Sequence, residues 1–141
     1  MKGLVARRQR VLRVRHVQHL SAVAETTRAR DEALGIAQNV DRIARVRGEL
    51  FANPGAVSGA SFAATHELAS RLEKAGRQLD GALYDARRKV EAKEAIGMVA
   101  NRDREIAAKL KDRARAAHEE WRENKLAALP RYRRMARGEA V

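Results

Sequence analysis

Cysteine is absent from the 141 residues, which excludes a disulfide scaffold and any thiolate metal site. Aromatics are nearly absent too: Phe51, Phe62, Tyr84, Trp121 and Tyr132 are the whole set. Although 45% of residues count as hydrophobic, much of that share is alanine, so the large side chains that fill an enzyme interior are scarce. Long apolar runs are missing as well. Charged residues interrupt every apolar stretch well before the ~18 residues a bilayer crossing needs. The opening Met1-Lys2-Gly3-Leu4-Val5-Ala6 meets Arg7 and Arg8 without the apolar segment of a secretory signal. The sequence is therefore expected to be soluble. Proline occurs only at positions 54 and 130, which leaves two long stretches free of the strongest helix breaker.

What is abundant is charge, 34% of the residues, with 30 Lys or Arg against 18 Asp or Glu and a net charge of +12. The excess is uneven. Residues 1–20 carry Lys2, Arg7, Arg8, Arg10, Arg13 and Arg15 with no acid, whereas residues 21–52 hold five charges of each sign. Residues 130–141 add Arg131, Arg133, Arg134 and Arg137 against Glu139 alone. Two basic extremities therefore flank a nearly balanced interior, an arrangement suited to an acidic protein cavity, a lipid surface or nucleic acid. An Arg-rich, acid-free opening also matches an organellar transit peptide, and basic runs can equally be solvated helix faces.

Helix breakers concentrate at Asn53-Pro54-Gly55-Ala56-Val57-Ser58-Gly59-Ala60-Ser61. Before them, Leu4, Val11, Val14, Ile36, Val40, Ile43 and Leu50 fall on one helical stripe. Between Val17 and Leu34 that stripe blurs. Val17, Leu20 and Val23 drift to another face while Ala22, Thr26, Ala29 and Ala33 hold the seam, which makes this the expected weak stretch of the first helix. After the break, Ser58 or Ser61 can cap a second helix. One seven-residue column reads Leu72, Leu79, Ala86, Lys93, Ala100, Ala107, Ala114 and Trp121; the expected partner column reads Leu68, Ala75, Ala82, Lys89, Ile96, Asp103, Leu110, Ala117 and Asn124.

These patterns predict an all-α fold: a single long antiparallel coiled-coil hairpin with unequal arms. The first helix spans about residues 4–51, the turn 52–61, the second helix about 62–129, and a basic tail 130–141. Setting Phe51 against Phe62 puts Leu4 opposite Lys109, so everything beyond, Trp121 included, is expected to overhang.

No catalytic constellation is present. The sequence lacks a phosphate-binding Gly-x-x-x-x-Gly-Lys loop, a dinucleotide fingerprint and a His-Glu-x-x-His pair. His16 and His19 are three apart but have no third ligand nearby in sequence, so no metal or cofactor is expected. A two-helix hairpin should also offer no pocket. Trp121 stands out as a lone large aromatic in an overhanging column, where another protein is a suitable partner.

A short apolar and Arg-rich opening (Leu4-Val5-Ala6-Arg7-Arg8-Gln9-Arg10-Val11-Leu12-Arg13-Val14-Arg15), an Ala-rich hairpin and a basic tail after Trp121 together resemble the flagellar export protein FliJ family. The resemblance spans nearly the whole chain and rests on pattern. It implies a nonenzymatic, stalk-like component of the bacterial flagellar type III export apparatus, cytoplasmic and peripheral on the inner face of the inner membrane. The implied partners are the export ATPase hexamer, a membrane export gate protein and export chaperones. On this reading the ring-binding end carries Arg7, Arg8, Arg10, Arg13, Arg15, Trp121, Arg131, Arg133 and Arg134. The gate-facing surface towards the turn carries Asn39, Val46, Phe51 and Phe62. The family's gate surface also maps onto Ile43, Leu50, Leu68, Leu72, Ala75 and Leu79, where this sequence offers mostly aliphatic side chains. The competing class is a basic coiled coil binding nucleic acid nonspecifically, against which stand the lack of aromatics among the first basic residues and of any base-reading motif.

Overall fold

A computed structural model describes residues 1–52 and 58–130. They form two helices, α1 (Lys2–Ala52) and α2 (Gly59–Ala127), and no strand among the described residues. The first amides of α1 find Met1, whose carbonyl accepts from Leu4 and Val5 at 3.1 and 3.3 Å. Ser58 caps α2: its Oγ accepts from the Ser61 amide at 3.2 Å and its carbonyl from Phe62 at 2.9 Å. The second helix accordingly starts about one turn earlier than its sequence pattern suggests. It ends where Leu129 N donates to Leu126 O at 3.2 Å, a tightened last turn just before Pro130.

The chain divides into two compact units, an inner one, Val17–Arg102, and a terminal one, Met1–His16 with Asp103–Val141. In each, a length of α1 packs antiparallel on a length of α2. Partners rise along one helix as they fall along the other, as in Arg30–Glu94 and Arg47–Glu73. The most consistently covered positions recur by threes and fours, with Ala75, Ala82, Asp103, Ala108 and Leu110 half-buried beside them. In the inner unit α1 contributes His19, Ala22, Thr26, Ala29, Ala33, Ile36, Val40, Ile43 and Leu50; α2 answers with Ala69, Leu72, Gly76, Leu79, Leu83, Ala86, Val90, Lys93, Gly97 and Ala100. In the terminal unit the corresponding positions are Val5, Arg8, Leu12 and Arg15 against Arg104, Ala107, Lys111, Ala114 and His118.

Three sequence expectations are corrected here. The α2 column containing Leu72, Ala86 and Ala107 is covered up to Ala114. Of the expected partner column Ala75, Ala82, Asp103 and Leu110 are half-buried but Leu68, Lys89, Ile96, Ala117 and Asn124 are exposed, and coverage is steadier one residue later, through Gly76, Gly97, Arg104 and Lys111. Leu68 and Ile96 are 45% and 54% exposed. Large apolar side chains drew the expectation; closely approaching backbones favour the smaller neighbour, and Arg and Lys stems can line a seam while their charges reach water. On α1, Leu4, Val11 and Val14 are exposed, and the next residues, Val5, Leu12 and Arg15, are half-buried instead. Second, the stretch expected to be weak is the best covered part of α1, since Ala22, Thr26 and Ala29 are its buried residues. Small side chains close the gap that larger ones leave at Val17, Leu20 and Val23, all of which are exposed.

Third, the register is offset. Ile43 lies beside Gly76, where a side-chain carbon would sit 3.7 Å from its Cγ2; a Phe51–Phe62 pairing would have set it beside Ser70. Phe51 and Phe62 are both exposed, and Phe62 stacks instead on His66, centroids 6.3 Å apart. In the terminal unit Lys2 and Val5 share a groove with Arg115 and His118, so pairing reaches His118 and the overhang begins at Glu119, not after Lys109. The core is made of alanine. Ala22, Ala29, Ala69, Ala86, Ala107 and Ala114 are its buried apolar residues, and no described side chain is fully enclosed. Such a seam buries little area per residue, so its stabilisation is spread thinly over many layers.

Candidate partner-binding surfaces

The terminal unit presents Arg7, Arg10 and Arg13 to solvent, while Arg8 is half-buried at a seam position. Arg15 has a different job from the one its composition suggests: Nη1 donates to Asp103 Oδ2 across the helix pair at 3.3 Å. It is structural first and only partly available to a partner. Trp121 is 44% exposed. Its ring lies under the Lys125 ammonium at 5.0 Å and stands 6.0 Å, centroid to centroid, from the tilted ring of His118. Arg131, Arg133 and Arg134 lie outside the described residues.

The expectation of a featureless helix pair also needs correcting, because open grooves run between the helices. Two lie in the terminal unit. The first, ≈ 400 Å³, has Leu12 and Ala108 on its floor and Arg13, His16, Arg104 and Glu105 at its edges. The second, ≈ 330 Å³, has Val5 and Ala6 below and Lys2, Arg115 and His118 around it. They meet at Gln9, which lines both. Lys2, Gln9 and His16 are seven apart, as are Ala108 and Arg115, so both grooves lie on one side of the unit.

In the inner unit Asn39, Val46, Phe51 and Phe62 are all exposed, and Ile43, Leu50, Leu72 and Leu79 are half-buried in the seam. Sequence thus separated available from occupied positions correctly, except at Leu68, which is exposed. Ion pairs stitch the flanks. Arg30 Nη2 donates to Glu94 Oε1 at 2.6 Å, Lys89 Nζ to Glu32 at 3.0 Å and Lys93 Nζ to Glu25 at 2.8 Å. The hydrogen bond from Lys93, and then its charge, hold the Glu25 carboxyl below its ordinary value. Buried Thr26 satisfies its hydroxyl locally by donating to Ala22 O at 2.9 Å. A further groove, ≈ 530 Å³, is edged by His19, Thr27, Arg30, Glu94, Met98 and Asn101. It mixes a satisfied ion pair with apolar surface and holds no nucleophile–base pair.

His19 Nδ1 and His118 Nε2 are shielded from water without a hydrogen-bond partner. Neither belongs to a metal cluster, since the described residues include no group of three or more possible ligands. No described helix is long and apolar enough to cross a membrane. What sequence reasoning missed is the grooved side of the terminal unit. The seven-residue spacing of Lys2, Gln9 and His16 was the available signal, but it gains meaning only once the true α2 column is known. No protein family, curated protein or solved structure matches the chain.

Proposed function

We propose that this protein is a nonenzymatic coiled-coil component of a bacterial flagellar type III export apparatus, peripheral on the cytoplasmic face of the inner membrane. In this reading the terminal unit engages the export ATPase ring. The inner unit meets the membrane export gate through Asn39, Val46, Phe51 and Phe62, with export chaperones as a further partner. One observation carries the assignment: the two units share a fold and differ in charge. Residues 17–102 hold 13 Lys or Arg against 11 Asp or Glu, and the rest of the chain holds 17 against 7. A strongly basic end on a hairpin suits an anionic protein lumen, while a near-neutral unit with exposed Val46, Phe51 and Phe62 suits an apolar contact.

The test is binding to an export-type ATPase, with ring assembly as readout. Saturable binding that persists at physiological salt and weakens on Trp121→Ala or on deletion of residues 1–15 is the expected result. Full binding by both variants would remove the terminal unit from the interface. The pI of ≈ 11.1 favours one alternative, nonspecific nucleic-acid binding. Tight, steeply salt-dependent DNA binding without any effect on the ATPase would select it.

A further inference from the structure

The paired grooves of the terminal unit have a definite chemistry. Their floor is small and apolar: Val5, Ala6, Leu12 and Ala108. Their edges are cationic, with Glu105 the one carboxylate among the lining residues. Not all of that charge is available. Arg115 Nε already donates to Glu119 at 3.0 Å, and Arg104 and Glu105 are engaged within the chain. Exposed Lys2 and Arg13 are left as the principal charges at the two ends.

We infer that this side of the terminal unit is a docking groove for one acidic amphipathic helix of a partner protein, which packs as a third helix along α1 and α2. The inference rests on the reading of the terminal unit as a protein-binding end. The repeat supports a helix as occupant: groove residues recur every seven positions on both existing helices, which is the spacing at which a third helix inserts its own apolar column. From Lys2 to His16 the groove is ~20 Å long at ~1.5 Å per residue, or about four helical turns. The charge supports an acidic one, because a helix whose apolar stripe is flanked by carboxylates meets a cation at each end. A duplex would satisfy the charges but leave the apolar floor uncovered, and a flat lipid surface could not enter the groove.

The probe is a fluorescein-labelled peptide of about 18 residues, long enough to fill the groove, with Leu and Ala at seam positions and Glu beside them. A peptide of the same composition, permuted to abolish the stripe, is the control, together with a labelled mixed-sequence DNA duplex. The full-length protein should bind the striped peptide in preference to both. Lys2→Glu with Arg13→Glu is expected to weaken peptide binding about tenfold or more, as lost complementary charge does at interfaces. Lys109→Glu with Arg113→Glu makes the same change in net charge on exposed α2 positions outside the groove and should leave binding within about twofold. Ala108→Gln narrows the floor without changing charge and should also weaken binding. Equal binding of the permuted peptide, equal losses from the two charge-reversal pairs, or tighter binding of the duplex would each overturn the proposal. ATPase binding that survives Lys2→Glu with Arg13→Glu, together with no peptide binding, would remove the groove proposal and leave the export reading intact.

Discussion

The inner and terminal units are built on the same heptad and packed in the same antiparallel sense, yet their seams differ in kind. The inner seam is alanine, glycine and aliphatic side chains, with His19, Thr26 and Lys93 as its polar exceptions, and cross-helix ion pairs on its flanks. The terminal seam places Arg8, Arg15, Arg104, Lys111 and His118 among the covered apolar residues Val5, Leu12, Ala107, Ala108, Leu110 and Ala114. Cations cover a seam with their stems but contribute less apolar burial than leucine, and exposed ion pairs such as Arg15–Asp103 and Lys111–Asp112 offset only part of their mutual repulsion. The terminal unit is therefore the less stable half and the more demanding of an anionic partner. Charge that weakens the helix pair is the same charge that recognises something outside it.

Breaking the inner seam should have the largest effect. Ala29, 3% exposed, has no room or partner for a carboxylate, so Ala29→Glu is expected to lower stability by about 3 kcal/mol or more. Thermal unfolding followed by circular dichroism measures this, and an unchanged midpoint would mean the seam is misassigned. The terminal unit should respond in the opposite direction. Arg8 and Lys111 face one another by the heptad count, so replacing both by Leu should stabilise by about 1–2 kcal/mol while weakening binding to an anionic partner. A loss of stability on that double substitution would end the contrast between the units.

Smaller effects sharpen it. Gly97 sits where a side-chain carbon would lie 3.9 Å from Thr26 Oγ1, and Gly76 where one would lie 3.7 Å from Ile43 Cγ2, both ordinary contacts. Each Gly→Ala should stabilise the helix by about 0.5–1 kcal/mol; destabilisation would show that the backbones approach more closely than these distances. Smallest of all is Arg30→Ala, which removes an exposed ion pair worth about 0.5 kcal/mol. Glu25 adds a pH test. Its carboxyl is held below the ordinary value by Lys93, so its stabilising contribution is complete above the unfolded carboxylate range and is lost as pH falls through the lowered folded value. The stability advantage of the wild type over Glu25→Gln should therefore be constant above about pH 4.5 and shrink below it, so that the two converge in acid.

Much of this architecture is legible along the chain. The two helices, the Leu72–Ala114 column and the Ala22, Thr26, Ala29 and Ala33 seam can all be read from spacing. So can the exposure of Asn39 and Val46, which fall off the seam; that of Phe51 and Phe62 could not, because spacing favours packing them on each other across the turn. Of the expected turn, residues 53–57 lie outside the described residues and 59–61 belong to α2. The second α2 column was not legible. Leu68, Ala75, Ala82 and Leu110 form as convincing a stripe as Ala69, Gly76, Leu83 and Lys111, and hydrophobicity favours the wrong one. Arg15 looked like a recognition residue because nothing nearby in sequence announces Asp103, 88 residues away, as its partner.

Composition and period by themselves determined that this chain is two helices, where they break, and which extremities carry the charge. These are local properties, set by backbone propensity and by the presence or absence of proline. Only the tertiary structure decided how far one helix slides along the other, which of two neighbouring columns is better covered, and hence that the groove lined by Lys2 and the one lined by Arg13 and Ala108 meet at Gln9. Register is a relation between two segments, chosen by how closely small residues let their backbones approach, and neither segment alone contains it.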